Sequence, residues 1–320
     1  MSDVLLSVRE LTVSFPHGAH RVSAVAGVSF DVLRGETLGL VGESGCGKST
    51  TGKALMRIVE PTGGSVSLEG VEITTASGRA LRQLRTRMQM IFQDPISSLN
   101  PRRRVRDIVA EPLDCWKSAT GSERDALVST LLNQVGIDPV ANGTRYAREF
   151  SGGQCQRISI ARSLAMRPQL LICDEMVSAL DVSVQAQILN LLEDLKAEYG
   201  LTLLFIAHDL AVVKNVSDRV AVMYLGTICE IGPADVLYET PAHPYTKFLL
   251  SAALEADPDA PQNREVLQGE PPSPLDPPSG CRFRTRCPLA QERCALEAPL
   301  AREVSAGHQV ACHFPLARTT

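Results

Sequence analysis

The sequence predicts an α/β fold with a parallel sheet at its core. Continuous apolar runs, typical of strands that are covered on both faces, lie at 38–41, 170–173, 203–206 and 220–224. Apolar residues at helical spacing lie between these runs, at Ile188, Leu191, Leu192 and Leu195 and, less regularly, at Leu127, Leu131, Leu132 and Val135. Because strands alternate with helices, we expect helices on the faces of the sheet.

A smaller antiparallel sheet is predicted in the first seventy residues. Apolar residues recur at every second position at Val28, Phe30 and Val32 and again at Val66 and Leu68. A period of two residues is the pattern of a strand with one buried face. We therefore expect an N-terminal antiparallel β-subdomain in addition to the α/β core.

The composition is that of an ordinary globular protein. The 320 residues are 44% hydrophobic, 21% charged and 4% aromatic, and 32 basic side chains against 36 acidic ones give a net charge of -4. This composition excludes a collagen, a coiled coil and a disordered chain. A protein that coats nucleic acid has a broad basic surplus, which is missing, so we expect no nucleic-acid partner.

Two features of the sequence bear on its location. Residues 1–15 contain Asp3 and Glu10 and lack a basic stretch that leads into an apolar core, so we predict no secretory signal. The apolar runs are far shorter than the roughly 20 residues of a membrane-spanning helix. We therefore expect a cytoplasmic location and, at most, a peripheral association with a membrane.

A phosphate-binding loop is predicted directly after the first buried strand. The nonapeptide at 42–50 fits the pattern G-x-x-x-x-G-K-[ST] in a strand-to-helix context. Its glycines let backbone N–H groups face phosphate oxygens, a lysine reaches the β and γ phosphates, and a hydroxyl ligates Mg²⁺. The alternative is a glycine-rich turn that matches by chance. The predicted nucleotide contacts are Gly42, Ser44, Gly45, Cys46, Gly47, Lys48, Ser49 and Thr50.

Two carboxylates end the apolar run at 170–173. In a nucleotide site, Asp174 would hold the metal ion, and Glu175 would accept a proton from the water that attacks the γ-phosphate. Acidic residues that merely cap a strand are common, and that alternative stays open for the pair considered alone.

The run Phe150-Ser151-Gly152-Gly153-Gln154, followed by QRISIAR at 156–162, resembles the signature motif of the ATP-binding cassette (ABC) ATPases. Further motifs of this family follow in the family's order: Gln93 resembles the Q-loop glutamine, Asp181 the D-loop aspartate and His208 the switch histidine. The resemblance covers residues 1 to about 255. It implies a P-loop NTPase fold, with a RecA-like parallel sheet, the antiparallel β-subdomain and an inserted α-helical signature subdomain at about 95–168.

The resemblance also implies roles. Glu175 would be the catalytic base, assisted by Lys48 and His208, and Mg²⁺ would be held by Ser49, Gln93 and Asp174. Phe15 would stack on the adenine ring, and Asp181 would couple two sites across a dimer interface. The motif residues Ser151, Gly152, Gly153 and Gln154 would contact ATP held by the opposite subunit, so that two such domains close on two ATP molecules.

Some of these residues have other interpretations when taken singly, and two positions differ from the family's usual pattern. Taken singly, His208 and Phe15 would be core side chains and Gln93 a solvated one. Met176 stands where the family usually has proline after the glutamate, and Cys155 stands where a basic or polar residue commonly follows the motif. Neither departure removes a chemical group that the expected reaction uses.

Four of the nine cysteines crowd the last forty residues, at Cys281, Cys287, Cys294 and Cys312. Four thiolates suit either a [4Fe-4S] cluster or tetrahedral Zn²⁺, and unligated packed cysteines are a third possibility. With the segment at 241–247, they resemble the C-terminal extension of dipeptide, oligopeptide and nickel importer ATPases. This resemblance favours the [4Fe-4S] cluster in a structural role. A metal centre would also explain how a segment of this size folds.

The predicted domain boundary lies near residue 256. Proline-rich sequence begins there and recurs at 270–278, which is unsuited to the interior of a helix or sheet. We therefore expect a nucleotide-binding domain at 1–255, then a linker and a small Cys₄ extension at 256–320.

The function that the resemblance implies is that of the ATPase of a membrane importer for dipeptides or oligopeptides. Its partners would be two transmembrane permease subunits, an external substrate-binding protein, and a second ATPase that is either a sister chain or another copy. It would lie on the cytoplasmic face of the membrane. The alternatives are an importer for nickel or glutathione, a soluble ABC ATPase without a permease, and a metal-centre protein in which the nucleotide domain regulates a redox reaction.

Overall fold

The computed structural model describes residues 3–18, 20–254 and 272–316. Their contacts divide the chain into two compact units, a first unit of Met1–Thr75 and Phe205–Thr320 and a second unit of Ala76–Leu204. Of the predicted proline-rich linker, the part at 256–271 lies outside the described residues.

The elements of the chain up to residue 75 are β1 (Val4–His17), β2 (His20–Leu33), β3 (Thr37–Val41), α1 (Lys48–Leu55), β4 (Gly63–Leu68) and β5 (Val71–Glu72). The second unit contains α2 (Gly78–Arg87), β6 (Met88–Ile91), α3 (Val105–Trp116), α4 (Gly121–Gln134), α5 (Pro139–Asn142), α6 (Gly152–Leu164), β7 (Leu170–Asp174) and α7 (Val182–Tyr199). β8 (Thr202–Ile206) lies at the division, and after it come α8 (Leu210–Val216), β9 (Arg219–Tyr224), β10 (Thr227–Pro233), α9 (Ala234–Glu239), α10 (Pro244–Leu254), α11 (Glu292–Leu296), β11 (Arg302–Ser305) and β12 (His308–Val310).

The antiparallel sheet predicted near the N-terminus is confirmed in the first unit. Its strand order is β2-β1-β4-β5. Val8 on the central strand pairs with Phe30 on one side and with Val66 on the other, and all three are buried. The alternating apolar residues therefore form one buried face.

The first unit also holds a mixed sheet with the order β11-β12-β10-β9-β3. β3 and β9 are parallel, with Leu40 opposite Ala221, which confirms the parallel pairing predicted for continuous apolar runs. Every residue of β3 is buried, because both faces of the strand are covered.

The C-terminal segment joins this mixed sheet. β12 pairs with β10 through Glu230 and Val310, and β11 extends the edge beyond it. The division of the chain by contacts therefore differs from the predicted one at residue 255, since backbone pairing makes residues of 302–310 part of the same sheet as β3. A boundary read from proline content alone does not register such pairing.

The second unit is mainly helical. α3, α4 and α6 pack against one another, and β6 and β7 form a parallel pair with Met90 opposite Ile172. The predicted stripe on α7 is confirmed for Ile188, Leu192 and Leu195, which are buried, whereas Leu191 is half-buried.

Among residues 3–18, 20–254 and 272–316, none of the helices combines the length and the apolar character that crossing a bilayer requires.

Candidate functional site

The phosphate loop in the first unit connects the end of β3 to the start of α1. Gly42 has a φ of 152°, and Gly47, which precedes α1, has a φ of 107°. A Cβ at Gly42 would stand 2.1 Å from the carbonyl oxygen of Met223, and one at Gly47 would stand 2.2 Å from that of Ala24. Both positions therefore require glycine, for reasons of backbone angle and of space.

Lys48 is the first residue of α1 and is 3% exposed. Its Nζ donates hydrogen bonds to the carbonyl oxygens of Gly42 at 2.8 Å and of Glu43 at 3.1 Å, and it lies 3.9 Å from Sγ of Cys46. The ammonium group is thus held over the loop. Cys46 is buried, and burial raises the pKa of its thiol.

Two further predicted residues lie in the first unit. His208 is exposed just beyond β8, and the neighbouring Ala207 N–H donates to the carbonyl of Leu40 on β3 at 3.2 Å. β3 leads directly into the phosphate loop. Phe15 on β1 is 39% exposed. The alternative that either residue is a core side chain is therefore wrong.

In the second unit, Gln93 and Glu175 are brought together. The amide Nε2 of Gln93 donates a hydrogen bond to Oε2 of Glu175 at 3.0 Å. Asp174, the last residue of β7, is 2% exposed. Glu175 has a φ of 46°, a left-handed conformation that is uncommon for a residue other than glycine and costs about 1 kcal/mol. The turn is held because Oγ of Ser178 donates to the Glu175 carbonyl at 2.8 Å.

The predicted signature residues begin α6. Oγ of Ser151 accepts a hydrogen bond from the N–H of Gln154, and Oε1 of Gln154 accepts one from the N–H of Ser151. This reciprocal pair is a capping box. Because Ser151 and Gln154 are exposed, the N-terminal end of α6, with its positive end of the helix dipole, faces outward.

The residues predicted for the signature and for the D-loop adjoin each other. A Cβ at Gly153 would stand 2.6 Å from Cγ1 of Val184, and one at Gly152 would stand 3.7 Å from Cδ2 of Leu180. Asp181, which is exposed, is the residue before α7. Cys155 is buried, with its Sγ 3.6 Å from the carbonyl of Ala147, so it packs inside the unit.

The four C-terminal cysteines share one neighbourhood. Burial raises the pKa of Cys312 to about 11, and the thiols of Cys281, Cys287 and Cys294 add to the rise because they are close by. The backbone N–H of Cys281 donates to the carbonyl of Cys294 at 2.8 Å. In the part of the chain that the structure describes, however, no three His, Cys, Asp or Glu side chains are arranged to hold a metal ion.

Sequence reasoning missed the residues that support the phosphate loop. The backbone N–H of Glu43 donates to the hydroxyl of Tyr245 at 2.9 Å. Burial raises the pKa of the Tyr245 hydroxyl above its usual range. Its ring packs edge-on against Tyr224, with centroids 4.7 Å apart. The sequence analysis noted the segment at 241–247 only for its resemblance to a family extension. The contact between Glu43 and Tyr245 was not predictable from sequence, because the two residues are 202 positions apart.

Two family models match parts of the chain. The model described as "ABC transporter" matches residues 25–178, and the model described as "Oligopeptide/dipeptide transporter, C-terminal region" matches residues 229–294.

Curated relatives match over nearly the full length. The "Probable peptide ABC transporter ATP-binding protein y4tS" of Sinorhizobium fredii is 52% identical, over 98% of this chain and 90% of its own. The "Putative oligopeptide transport ATP-binding protein YkfD" of Bacillus subtilis is 51% identical, over 97% of this chain and 95% of its own.

Solved structures share the fold. CbiO1 of Clostridium perfringens, described as part of the ABC transporter complex cbiONQ, matches with a TM-score of 0.65 and 27% identity, over 74% of this chain and 91% of its own. The ATP-binding cassette MJ0796, solved as a dimer bound to ADP and Pi, matches with a TM-score of 0.66 and 25% identity, over 72% of this chain and 99% of its own.

Proposed function

This chain belongs to the ABC transporter family, and from that premise we propose that it hydrolyses ATP to drive the import of short peptides. The observation that carries the proposal is the identity of about half of all residues with relatives named for peptide transport. This identity extends through the C-terminal region, where a model of oligopeptide and dipeptide transporters matches.

The phosphate loop is the proposed binding site for the ATP phosphates. Gly42 and Gly47 let the backbone approach closely, Lys48 supplies positive charge, and the N-terminal end of α1 adds its partial charge. The proposed contacts further include Ser44, Gly45, Cys46, Ser49 and Thr50, with Phe15 stacked on the adenine. The exposure of Phe15 supports this last role, because a stacking ring must be accessible.

The proposed Mg²⁺ ligands are Ser49, Gln93 and Asp174, which offer hydroxyl, amide and carboxylate oxygens. Oxygen donors of this kind are what Mg²⁺ prefers. When bound, the ion would neutralise phosphate charge. Glu175 is the proposed base for the attacking water, and the hydrogen bond from Gln93 orients its carboxylate. His208 is proposed to contact the γ-phosphate.

We propose that the N-terminal ends of α6 and α7 contact an ATP molecule that is bound by a second subunit. The exposed Ser151 hydroxyl, the N–H groups of Gly152 and Gly153, and Gln154 form a set of donors that lies outward at a helix N-terminus. Such donors favour an anion such as a γ-phosphate. The exposed Asp181 beside them is proposed to couple the two sites. MJ0796, a similar cassette, was solved as a dimer. A homodimer and a pair with a sister ATPase both satisfy this arrangement.

The proposed membrane partners are two permease subunits, with an external binding protein that delivers the peptide. The chain would dock on the permeases at the cytoplasmic face of the membrane as a peripheral subunit. The names of the relatives, which describe peptide import and transport ATP-binding proteins, support this assignment.

The proposed occupant of the four cysteines is a [4Fe-4S] cluster in a structural role. The Cys₄ donor set suits it, and the thiols of Cys281, Cys287, Cys294 and Cys312 lie near one another. Because the described residues hold no group of three His, Cys, Asp or Glu placed around a metal ion, the proposal rests on the donor set and on the proximity of the thiols. The chain's own contribution is to hold these thiols in one neighbourhood.

Reconstituted uptake tests the proposed function. The chain is purified with the permease subunits that it retains and is placed in vesicles, and uptake of labelled dipeptides and longer peptides is measured with and without ATP. We expect ATP-dependent uptake that Lys48→Ala abolishes. Purification without any hydrophobic partner, or ATP hydrolysis that never couples to peptide uptake, would contradict the proposal.

A further inference from the structure

The C-terminal cysteine segment reaches the phosphate loop through one ion pair. The guanidinium of Arg286 donates from Nη1 to Oε2 of Glu43 at 2.8 Å and from Nη2 to Oε1 at 3.1 Å. The side chains are 6% and 25% exposed, respectively. A paired, largely buried contact of this geometry fixes both orientation and distance, unlike a solvent-exposed pair.

Glu43 is the residue on which the contacts of the loop converge. Its carbonyl accepts hydrogen bonds from Nζ of Lys48 at 3.1 Å and from the N–H of Cys46 at 3.3 Å, and its N–H donates to Tyr245. Holding the side chain of Glu43 therefore holds the part of the loop that positions Lys48.

The segment that carries Arg286 is itself anchored beside the loop. The guanidinium of Arg282 donates to the carbonyl of Leu225, in the turn between β9 and β10. The next residue, Gly226, donates its N–H to the carbonyl of Cys46 at 2.8 Å. The ring of Phe283 packs edge-on against Tyr224, with centroids 5.2 Å apart. These contacts fix the position of the segment that carries Arg286.

We propose that Arg286 is a positioning residue for nucleotide binding, through which the cysteine segment preorganises the phosphate loop. The inference rests on the proposed function, that this loop binds ATP. Two physical effects contribute. Fixing Glu43 before the nucleotide arrives removes part of the ordering cost of binding. The guanidinium also neutralises a carboxylate that would otherwise repel the phosphates from within the loop.

ATP affinity of the purified full-length chain, measured by calorimetry with Mg²⁺ present, tests this inference. We expect Arg286→Gln to weaken ATP binding about tenfold, because the carboxylate of Glu43 is left unpaired. Adding Glu43→Gln should bring affinity back to within about threefold of the wild type, because the repulsive charge is then gone. In steady-state assays, KM for ATP should rise in Arg286→Gln while kcat at saturating ATP is retained.

Arg293→Gln is the matched control. Arg293 lies in the same segment and pairs with Glu297 at 3.0 Å, but both side chains are about 60% exposed. This variant should bind ATP as the wild type does. Thermal unfolding and the cysteine-bound metal content are measured for every variant, so that a folding defect is recognised.

Three outcomes would overturn the inference: unchanged affinity in Arg286→Gln, no recovery in the double variant, or an equal loss in Arg293→Gln. Lys48→Ala separates this failure from that of the proposed function. If the wild type binds no ATP, or if Lys48→Ala binds it equally well, the loop is not the ATP site. If Lys48→Ala loses ATP while Arg286→Gln keeps it, only the role of Arg286 is wrong.

Discussion

The side-chain amide of Gln93 donates a hydrogen bond to the carboxylate of Glu175 at 3.0 Å, across 82 residues of sequence. The contact joins the second residue after β6 to the residue directly after β7, and these two strands are parallel neighbours. This hydrogen bond holds the carboxylate of Glu175 in one orientation. A general base needs a fixed orientation in order to accept a proton from a water molecule.

Gln93→Ala tests the importance of this contact. We expect kcat for ATP hydrolysis to fall about tenfold, because orientation of the proposed base is lost, while the affinity for ATP measured without Mg²⁺ changes by less than about twofold, because the contacts of the loop with the phosphates remain. The matched control is Gln89→Ala on β6, whose amide donates to the carbonyls of Arg85 and Met88. Equal rates for Gln93→Ala and the wild type would show that the hydrogen bond has no catalytic consequence.

The sequence predicted elements and local motifs well, because both depend on residues near one another in the chain. The buried run of β3 and the glycines that follow it are one example, since apolar continuity and backbone freedom are local properties. The pairing of β12 with β10 and the contact of Arg286 with Glu43 were not predicted. They depend on tertiary packing between residues that lie far apart in the chain, which periodicity does not report.

A substitution of Ser151 tests the proposal that two subunits close on ATP. Ser151→Asp keeps a good helix-capping acceptor but places a negative charge where a γ-phosphate of the partner's nucleotide is proposed to bind. We expect thermal stability to be retained, ATP binding to the phosphate loop to persist and ATP hydrolysis to fall at least about tenfold.

Ser151→Ala provides the comparison. It removes the cap, so unfolding free energy should drop by about 1 kcal/mol in urea titrations. If Ser151→Asp hydrolyses ATP at the wild-type rate, Ser151 does not face a phosphate.

The cysteine neighbourhood predicts a visible cofactor. Anaerobically purified protein should be brown, and serine at any one of Cys281, Cys287, Cys294 or Cys312 should bleach it, because a Cys₄ cluster loses a ligand. Cys115→Ser, at an exposed cysteine outside this set, should leave the colour unchanged. The cluster content is measured by absorption spectroscopy and by chemical analysis of iron and sulfide. A colourless wild type loaded with zinc would overturn the iron assignment.

Acid stability should depend on His243. Burial lowers the pKa of His243 to about 4 from 6.5, although Glu230 opposes the shift. Nδ1 of His243 accepts a hydrogen bond from the N–H of Tyr245 at 3.0 Å, as a neutral ring does. Below about pH 6.5 the His243 side chain becomes protonated in the unfolded chain, whereas in the folded chain it becomes protonated only near pH 4. Stability is therefore lost as the pH falls through this window, by about 2 kcal/mol between pH 7 and pH 5.

His243→Asn isolates this effect. The asparagine oxygen can accept the same N–H bond but takes up no proton in this range. Between pH 7 and pH 5 the variant should lose about 2 kcal/mol less unfolding free energy than the wild type in urea titrations, whatever its stability at pH 7. Parallel losses in the two proteins would show that His243 is not the group responsible.

The most direct test of the account is ATP hydrolysis by Glu175→Gln, measured beside ATP binding on the same sample. The variant keeps the size of the side chain and removes the basic oxygen, and Glu193→Gln, an exposed change on α7, is the control. The account predicts that Glu175→Gln binds ATP as tightly as the wild type, turns it over at least about a hundredfold more slowly and accumulates as a closed pair of subunits. Turnover at the wild-type rate by Glu175→Gln, or full activity in a chain that never pairs, would contradict it.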